Sequence, residues 1–194
     1  MYPISTMTGC WVRLEPLAEE HREGLRAAAD DDRIWEHMTL LAIGEGFERW
    51  FQNAFDQRKA GKRLPFAVRL LASGELIGST SYLDPEPQHR RVEIGATWYR
   101  QDHWGGAINP ECKLLLLAHA FETLGLNRVS FVTDVRNERS QAAIAKLGAV
   151  REGLLRAHVV TRDGRIRDSV LFSIIASDWP RVKERLEERL AGRF

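Results

Sequence analysis

A short segment with two adjacent glycines, DHWGGA at residues 102–107, is the clearest place for chemistry in this chain. Gly105 and Gly106 leave their backbone N–H groups open to a ligand. A helix predicted just beyond them adds unpaired N–H groups and a partial positive charge. Together these features can bind phosphate or pyrophosphate. The glycines also fit a plain loop that needs them for its turn, and taken alone they favour that simpler interpretation.

Two common phosphate motifs are missing from the sequence. The segment is not followed by G-K-[ST], and it does not form G-x-G-x-x-G. A kinase or nucleoside triphosphatase is therefore not predicted. A dinucleotide oxidoreductase would also need an acidic ribose-binding residue at its expected place, which the chain lacks.

A helix with a clear start follows the glycine segment. Asn109 is a good N-cap, Pro110 suits the first helical position, and Glu111 faces the positive helix end. Apolar residues at helical spacing continue to Leu124, and Gly125 ends the helix. The sequence therefore predicts that the N-terminus of this helix borders the glycines.

A strand, predicted over residues 90–99, precedes the glycine segment. Its side chains alternate between the two faces of a sheet. The predicted faces consist of Val92, Ile94, Ala96 and Trp98 on one side and Glu93, Gly95, Thr97 and Tyr99 on the other.

The remaining pattern combines hairpins with strand–helix–strand crossovers. Further helices are predicted over 17–29, 32–40, 45–59 and 137–147 and from Ser177 or Asp178 onward, and strands over 11–15, 65–71, 75–83, 127–135, 154–161 and 166–176. This order favours a mixed α/β sheet over a purely parallel one.

Several segments resemble one known family in their order and spacing. They are VRLEPL at 12–17, EIGATW at 93–98, WGGAINPECK at 104–113, HAFETLGLNRV at 119–129, NERSQAAIAKLGA at 137–149 and REGLLR at 151–156. Together they resemble the GNAT superfamily of N-acetyltransferases, and in particular the RimJ/RimL-like branch that acetylates the N-termini of ribosomal proteins. The resemblance runs from Val12 to Trp179, nearly the whole chain.

The resemblance implies an α/β (α+β) fold, with a mixed, mostly antiparallel sheet of about seven strands, splayed central strands and flanking helices. It also implies acetyl-CoA as the acetyl donor. The residues that would bind it are the strand backbone at Thr97, Trp98 and Tyr99, the loop at Trp104, Gly105, Gly106 and Ala107, and Asn109, Lys113 and Asn137. Asn137 also fits a simple helix N-cap, and both roles are compatible. Lys113 lies at i+4 from Asn109 and could reach a phosphate, although a solvated lysine is slightly favoured.

Direct acetyl transfer, which the resemblance also implies, needs a neutral amine and a proton donor for the leaving thiolate. Glu93 is the candidate base, either directly or through water; it also fits a surface glutamate or a partner of Arg90 or Arg91. Ser140 is the candidate acid or hydrogen-bond donor, and it also fits an ordinary first-turn serine.

The sequence departs from the superfamily pattern at two positions. Asp102 occupies a place where Gln or Arg is usual, and we expect its carboxylate to face outward, away from pyrophosphate. Ile144 replaces a tyrosine that serves as the acid in many members. Because of these departures, a second interpretation stays open, namely a protein that binds acyl-CoA without turnover. The acceptor amine is a protein N-terminus or a small molecule.

Composition limits the remaining possibilities. With 194 residues and a net charge of +1, the chain fits one domain (1–194) with no general attraction to nucleic acid or anionic membranes. No signal peptide and no apolar run long enough to span a bilayer is visible, so a cytoplasmic protein is expected. The six histidines and two cysteines form no metal-binding pattern, so no metal is expected. A monomer and a homodimer both remain open.

Overall fold

The computed structural model describes residues 2–192; Met1, Arg193 and Phe194 of the predicted 1–194 domain lie outside them. Eight strands form one sheet in the order β1-β2-β3-β4-β5-β6-β8-β7. They are β1 (Met7–Thr8), β2 (Val12–Pro16), β3 (Arg63–Leu70), β4 (Leu76–Glu86), β5 (Arg91–Tyr99), β6 (Arg128–Asp134), β7 (Val150–Val160) and β8 (Ile166–Ile175). All neighbours are antiparallel except β5 and β6. The mixed, mostly antiparallel fold class is confirmed, with the short β1 as an additional strand.

Helices cover both faces of the sheet. They are α1 (Arg22–Ala29), α2 (Glu45–Lys59), α3 (Ile108–Ala118), α4 (Glu138–Leu147) and α5 (Trp179–Ala191). A π-helical turn at His119–Thr123 continues α3. The helix predicted over 32–40 is wrong, because only a 3-10 turn at Asp32–Trp35 forms there.

Each face of the sheet carries its own buried apolar cluster. One packs α3, α4 and α5 against the sheet through residues that include Leu64, Phe66, Tyr82, Val92, Leu116, Phe131, Ile144, Phe172 and Leu186. The other packs α1 and α2 against the opposite face through residues that include Leu25, Trp35, Phe47, Trp50, Phe51, Ala67 and Trp98. We call these the α3 face and the α2 face. Burial of both sets supplies the main driving force for folding.

The centre of the sheet is open. β5 and β6 pair in parallel only through Arg91–Glu93 and Arg128–Ser130, and beyond Glu93 no pairing between them continues. The later half of β5 still pairs with β4 on its other edge. One backbone edge of β5 is therefore free of a strand partner over its last residues, which confirms the predicted splay.

A bulge in β5 changes which side chains share a face. Ala96 has φ +47°, and the register with β4 shifts between Ser79 and Ser81. The extra residue reverses the alternation beyond it. Trp98 therefore lies on the α2 face with Glu93, whereas Thr97 and Tyr99 turn to the α3 face. The uninterrupted alternation predicted for residues 92–99 is wrong beyond Gly95.

A buried glutamate ties the start of α3 to the N-terminal part of the chain. The Glu111 carboxylate accepts hydrogen bonds from the backbone N–H groups of Cys10, Trp11 and Val12 at 2.6, 2.8 and 2.8 Å. A Cβ at Gly9 would stand 2.4 Å from Cδ of Glu111, so only glycine fits there. Glu111 therefore does more than face the helix dipole, because it also fixes where α3 begins.

Candidate active site

A cavity of about 270 Å³ lies where β5 and β6 separate. On the α3 face it is lined by residues of α3 and α4, including Asn109, Lys113, Ser140 and Ile144. On the α2 face it is lined by Ile34, Met38 and Trp98. The cavity therefore passes through the sheet and joins the glycine loop to a second opening on the opposite side.

The glycine loop forms one end of this cavity. Gly105 has φ +81°, a conformation that favours glycine, and a Cβ added to Gly105 or Gly106 would meet no atom within 4 Å. The Trp104 indole N–H donates to the Tyr99 carbonyl at 3.0 Å, and the Arg139 guanidinium lies 3.6 Å from the Trp104 ring centroid. These contacts fix the loop against β5 and α4 and leave the glycine backbone uncovered by other residues of the chain.

Asp102 points away from this backbone, as expected. It is exposed and accepts hydrogen bonds from the Arg100 guanidinium at 2.8 and 2.9 Å. The hydrogen bond from Arg100 lowers the pKa of Asp102. The negative charge is thus paired outside the loop.

The predicted N-cap of α3 is wrong. The helix begins at Ile108 with Ala107 as its capping residue, so Asn109 lies inside the first turn. Its side-chain oxygen accepts a hydrogen bond from the Tyr99 hydroxyl at 3.3 Å. Asn109 still lines the cavity, but through a contact to β5.

Lys113 is buried, so the slightly favoured interpretation of a solvated lysine is wrong. Only 6% of the residue is exposed, and its Nζ donates to Oγ1 of Thr97 at 2.8 Å. Thr97 also shares a 2.8 Å hydrogen bond with Thr80. Burial lowers the pKa of Lys113 to about 8. The neighbouring Cys112 is also buried, and burial raises its pKa to about 12, so it is a packing residue with an unreactive thiol.

Asn137 and Ser140 stand together on the cavity wall formed by α4. The Asn137 side chain accepts a hydrogen bond from the Ser140 backbone N–H at 2.9 Å, so Asn137 caps α4 as expected. Both residues line the cavity. Ile144, one turn further along α4, adds an apolar surface where a tyrosine hydroxyl would otherwise stand. The cavity-lining hydroxyl group of α4 belongs to Ser140.

Glu93 lies on the α2 face at the point where the strands separate. It does not line this cavity but a second one, together with Lys62, Asp84 and Ser130. The Glu93 carboxyl group lies close to Gly95: a Cβ added to this glycine would stand 2.9 Å from Oε1 of Glu93. Gly95 lines the first cavity. Burial raises the pKa of Glu93 to about 7; Asp84 raises it further and Arg167 opposes the rise. A carboxyl group with this pKa can hold or release a proton near neutral pH.

Other lining residues were missed at the sequence level. Arg139 and Arg167 both line the cavity, together with Arg33 and His37 of the segment before α2. Nothing in the local sequence distinguishes Arg33, His37 and Arg139 from surface residues. Alternation along residues 166–175 would have placed Arg167 with Ser169 on one face, which was the available signal.

The exposed backbone edge of β5 and the donor groups around it fit a CoA thioester. The edge after Glu93 has unpaired peptide groups suited to the amides of a pantetheine arm, and Thr97, Trp98 and Tyr99 lie along it. The open N–H groups at Gly105, Gly106 and the start of α3 suit a pyrophosphate. Lys113 adds a cation at the cavity wall.

Comparisons with known proteins agree with this geometry. Residues 12–150 match the family described as an acetyltransferase (GNAT) domain. The uncharacterised N-acetyltransferase YoaA of Bacillus subtilis is 30% identical over 84% of this chain and 92% of its own length. YdaF of the same species, a proposed ribosomal N-acetyltransferase, is 34% identical over 57% of this chain and 59% of its own length. A crystal structure of a proposed acetyltransferase from T. thermophilus has a TM-score of 0.88 and 38% identity, with 98% of this chain and all of that one covered.

The chain therefore belongs to the GNAT family of acetyltransferases, and it is an N-acetyltransferase enzyme. Among residues 2–192, no helix is long and apolar enough to cross a membrane. Within the same range, no group of three or more His, Cys, Asp or Glu residues could hold a metal ion.

Proposed function

We propose that this protein transfers an acetyl group from acetyl-CoA directly to a primary amine, namely the N-terminal amine of a protein such as a ribosomal protein. The observation that carries the proposal is the cavity that passes through the splayed strands. The glycine loop and the start of α3 lie on its α3 side, and on the α2 face its lining residue Gly95 lies next to the Glu93 carboxyl group. Donor and acceptor can thus approach from opposite faces and meet at the splay.

Each polar residue at the splay has a role in this proposal. Glu93, with a pKa of about 7, takes a proton from the acceptor ammonium directly or through water and leaves a neutral amine. Ser140 donates a hydrogen bond to the sulfur of the departing thiolate. The backbone of Thr97, Trp98 and Tyr99 orients the donor. Bound acetyl-CoA supplies the activated acyl group.

The binding roles divide between the loop and its neighbours. The N–H groups at Gly105, Gly106 and Ala107 bind the pyrophosphate together with the first turn of α3, where Asn109 lies. The backbone N–H of Trp104 already donates to the Gln101 carbonyl at 3.0 Å, so Trp104 contributes its indole ring, which fixes the loop against β5. The side chain of Lys113 holds Thr97 and adds positive charge to the same wall. Asn137 contributes a polar contact to the donor in addition to its capping role.

The N-terminal acceptor is supported by the resemblance to YdaF, whose name gives a ribosomal substrate. A small-molecule amine is the second candidate acceptor, because the α2-face opening is lined by a short turn and strand ends with no recognised acceptor motif. A protein that binds acyl-CoA without turnover is the alternative outside catalysis. A cytoplasmic location, a single domain and the choice between monomer and homodimer stay predictions.

The test is acetylation of short peptides with a free N-terminus, followed by thiol release and by mass spectrometry of the peptide product. We expect Nα-acetyl peptide and an equal amount of CoA. Below pH 7 the wild-type kcat/KM should fall about tenfold for each pH unit, because Glu93 becomes protonated.

Two variants and a control accompany this assay. Glu93→Gln should lower kcat at least about 100-fold with unchanged CoA affinity, and Ser140→Ala should lower it less. Glu187→Gln, an exposed position on α5, removes the same charge and should behave like the wild type. Tight CoA binding with no acetylated product across peptides and small amines would contradict the enzymatic proposal.

A further inference from the structure

The α2-face opening holds a buried arginine that the proposed reaction does not use. Arg167 of β8 is 9% exposed and lines the cavity. Its Nε donates to Oγ of Ser169 at 3.0 Å, and a carboxylate oxygen of Asp134 is 3.9 Å from the same nitrogen. Within residues 2–192, no protein atom accepts a hydrogen bond from either terminal nitrogen of this guanidinium.

Asp134 is committed to other partners. Its side chain accepts a hydrogen bond from the Arg165 guanidinium and another from the Arg136 backbone N–H at 2.9 Å. Burial would raise the pKa of Asp134, but these hydrogen bonds and the nearby arginines lower it. Asp134 therefore stays ionised and is shared by two arginines, of which Arg165 is the closer partner.

Basic side chains and a carboxylate line the cavity on the α2 face. Arg33, His37 and Arg167 line the cavity on this side, and Asp134 is the one carboxylate among the described lining residues. Glu93, beside the opening, is near enough to Arg167 for the guanidinium to lower the pKa of the carboxyl. A proton acceptor and a guanidinium with free donors thus lie near each other, with the guanidinium in the cavity wall and the carboxyl group next to Gly95 of the same wall.

A guanidinium that is removed from water gains most from a carboxylate or phosphate that takes its paired N–H groups. Resting on the proposed function, we propose that Arg167 binds a carboxylate of the acceptor, so that the acceptor is a primary amine with a carboxylate a few bonds away. The amine lies at Glu93 and the carboxylate lies at Arg167. An N-terminus with an acidic residue among its first positions has this chemistry, and so does a free amino acid.

The experiment compares three peptides that differ only at the second residue, Ser-Glu, Ser-Gln and Ser-Lys, with free glutamate as the small-molecule arm. Wild type, Arg167→Gln and Arg162→Gln are assayed for kcat/KM by thiol release. Binding of each acceptor in the presence of CoA is measured by calorimetry. Arg162 is the matched control, because it lies on the same hairpin, loses the same charge and is exposed. CoA affinity and thermal melting verify that each variant is folded.

We expect the wild type and Arg162→Gln to prefer the acidic acceptor over the neutral and basic ones by about 10- to 100-fold. Arg167→Gln should lose this preference, so that the Ser-Glu peptide is turned over no faster than the Ser-Gln peptide. The ratio between the two peptides is the readout, because any effect of the lost guanidinium on Glu93 changes the turnover of both peptides alike. Glutamate turned over better than the Ser-Glu peptide would assign the carboxylate to a small molecule, within the same proposal.

Two results would overturn the inference and leave the proposed function intact. One is equal turnover of the three peptides by the wild type. The other is an equal loss of turnover for every acceptor in Arg167→Gln, which would make Arg167 a positioning residue for Glu93. If no acceptor is acetylated, the proposed function fails. In that case, tighter binding of the acidic acceptor that depends on Arg167 still supports the inference, and its absence overturns it.

Discussion

Replacing Glu93 by Gln is expected to remove a pH dependence of folding that this carboxyl imposes on the wild-type protein. The pKa of Glu93 is about 7 in the folded state, against an ordinary value of 4.5, with burial as the largest cause and Asp84 as the second. Between these two values the folded protein holds a proton that the unfolded chain has lost. The free energy of unfolding therefore falls as the pH rises through this window, and it is highest at its acidic end.

The difference between the two pKa values corresponds to about 3 kcal/mol, since one pKa unit is worth about 1.4 kcal/mol. Between pH 5 and pH 8 the expected share is about 2.5 kcal/mol, because the unfolded carboxyl is already partly ionised at pH 5. Gln cannot ionise, so the variant should gain this amount of stability relative to the wild type across the interval.

Urea unfolding of both proteins at several pH values measures this difference directly. Every other titrating group is common to the two proteins, so their contributions cancel in the comparison. Glu187→Gln serves again as the control and should follow the wild-type curve. If the difference between wild type and Glu93→Gln stayed constant from pH 5 to pH 8, the buried, raised-pKa state of Glu93 would be refuted, and so would its fitness as a base near neutrality.

Two further predictions concern the donor side of the cavity. Because burial lowers the pKa of Lys113 from 10.5 to about 8, wild-type stability should rise by about 3 kcal/mol from pH 8 to pH 10.5 relative to Lys113→Met, as urea unfolding would show. A parallel pH profile in the two proteins would contradict the buried position. Gly105→Val should weaken CoA binding at least about tenfold by calorimetry, because valine resists φ +81° and its side chain covers the loop backbone. Gly74→Val carries similar strain at φ +76° away from the cavity, so its CoA affinity should stay unchanged, and an equal loss in both variants would point to general destabilisation.

The sequence was sufficient for the order of the strands and of helices α2 to α4 around the cavity, because apolar periodicity and glycine stops mark those elements locally. It was wrong for residues 32–40, where a 3-10 turn replaces the predicted helix. It could not reveal the bulge in β5. Ala96 adopts a positive φ that a non-glycine residue rarely takes, and its cause is the pairing with β4 rather than any local signal. The faces of Thr97, Trp98 and Tyr99 were therefore predicted incorrectly, although their place beside the splay was predicted correctly.

The burial and the contacts of the site's side chains were harder to predict from the sequence than the positions of its strands and helices. Lys113 and Arg167 are cations that sequence patterns place at the surface, yet tertiary packing buries both. Asn109 has the chemistry of an N-cap, but the chain already turns into the helix at Ile108, so that role falls to Ala107. Glu93 was identified through the resemblance, while its pKa depends on distant residues such as Asp84 and Arg167 that are brought near only by folding.

The Glu111 side chain can report motion at the start of α3. Three consecutive amides, at Cys10, Trp11 and Val12, donate to this side chain from about a hundred residues away in sequence. Their hydrogens can exchange with deuterated solvent through this contact only when the first turn of α3 shifts and releases them. The deuterium uptake of one N-terminal peptide would therefore follow movement of the first turn of α3, and it would slow when a ligand holds this turn in place.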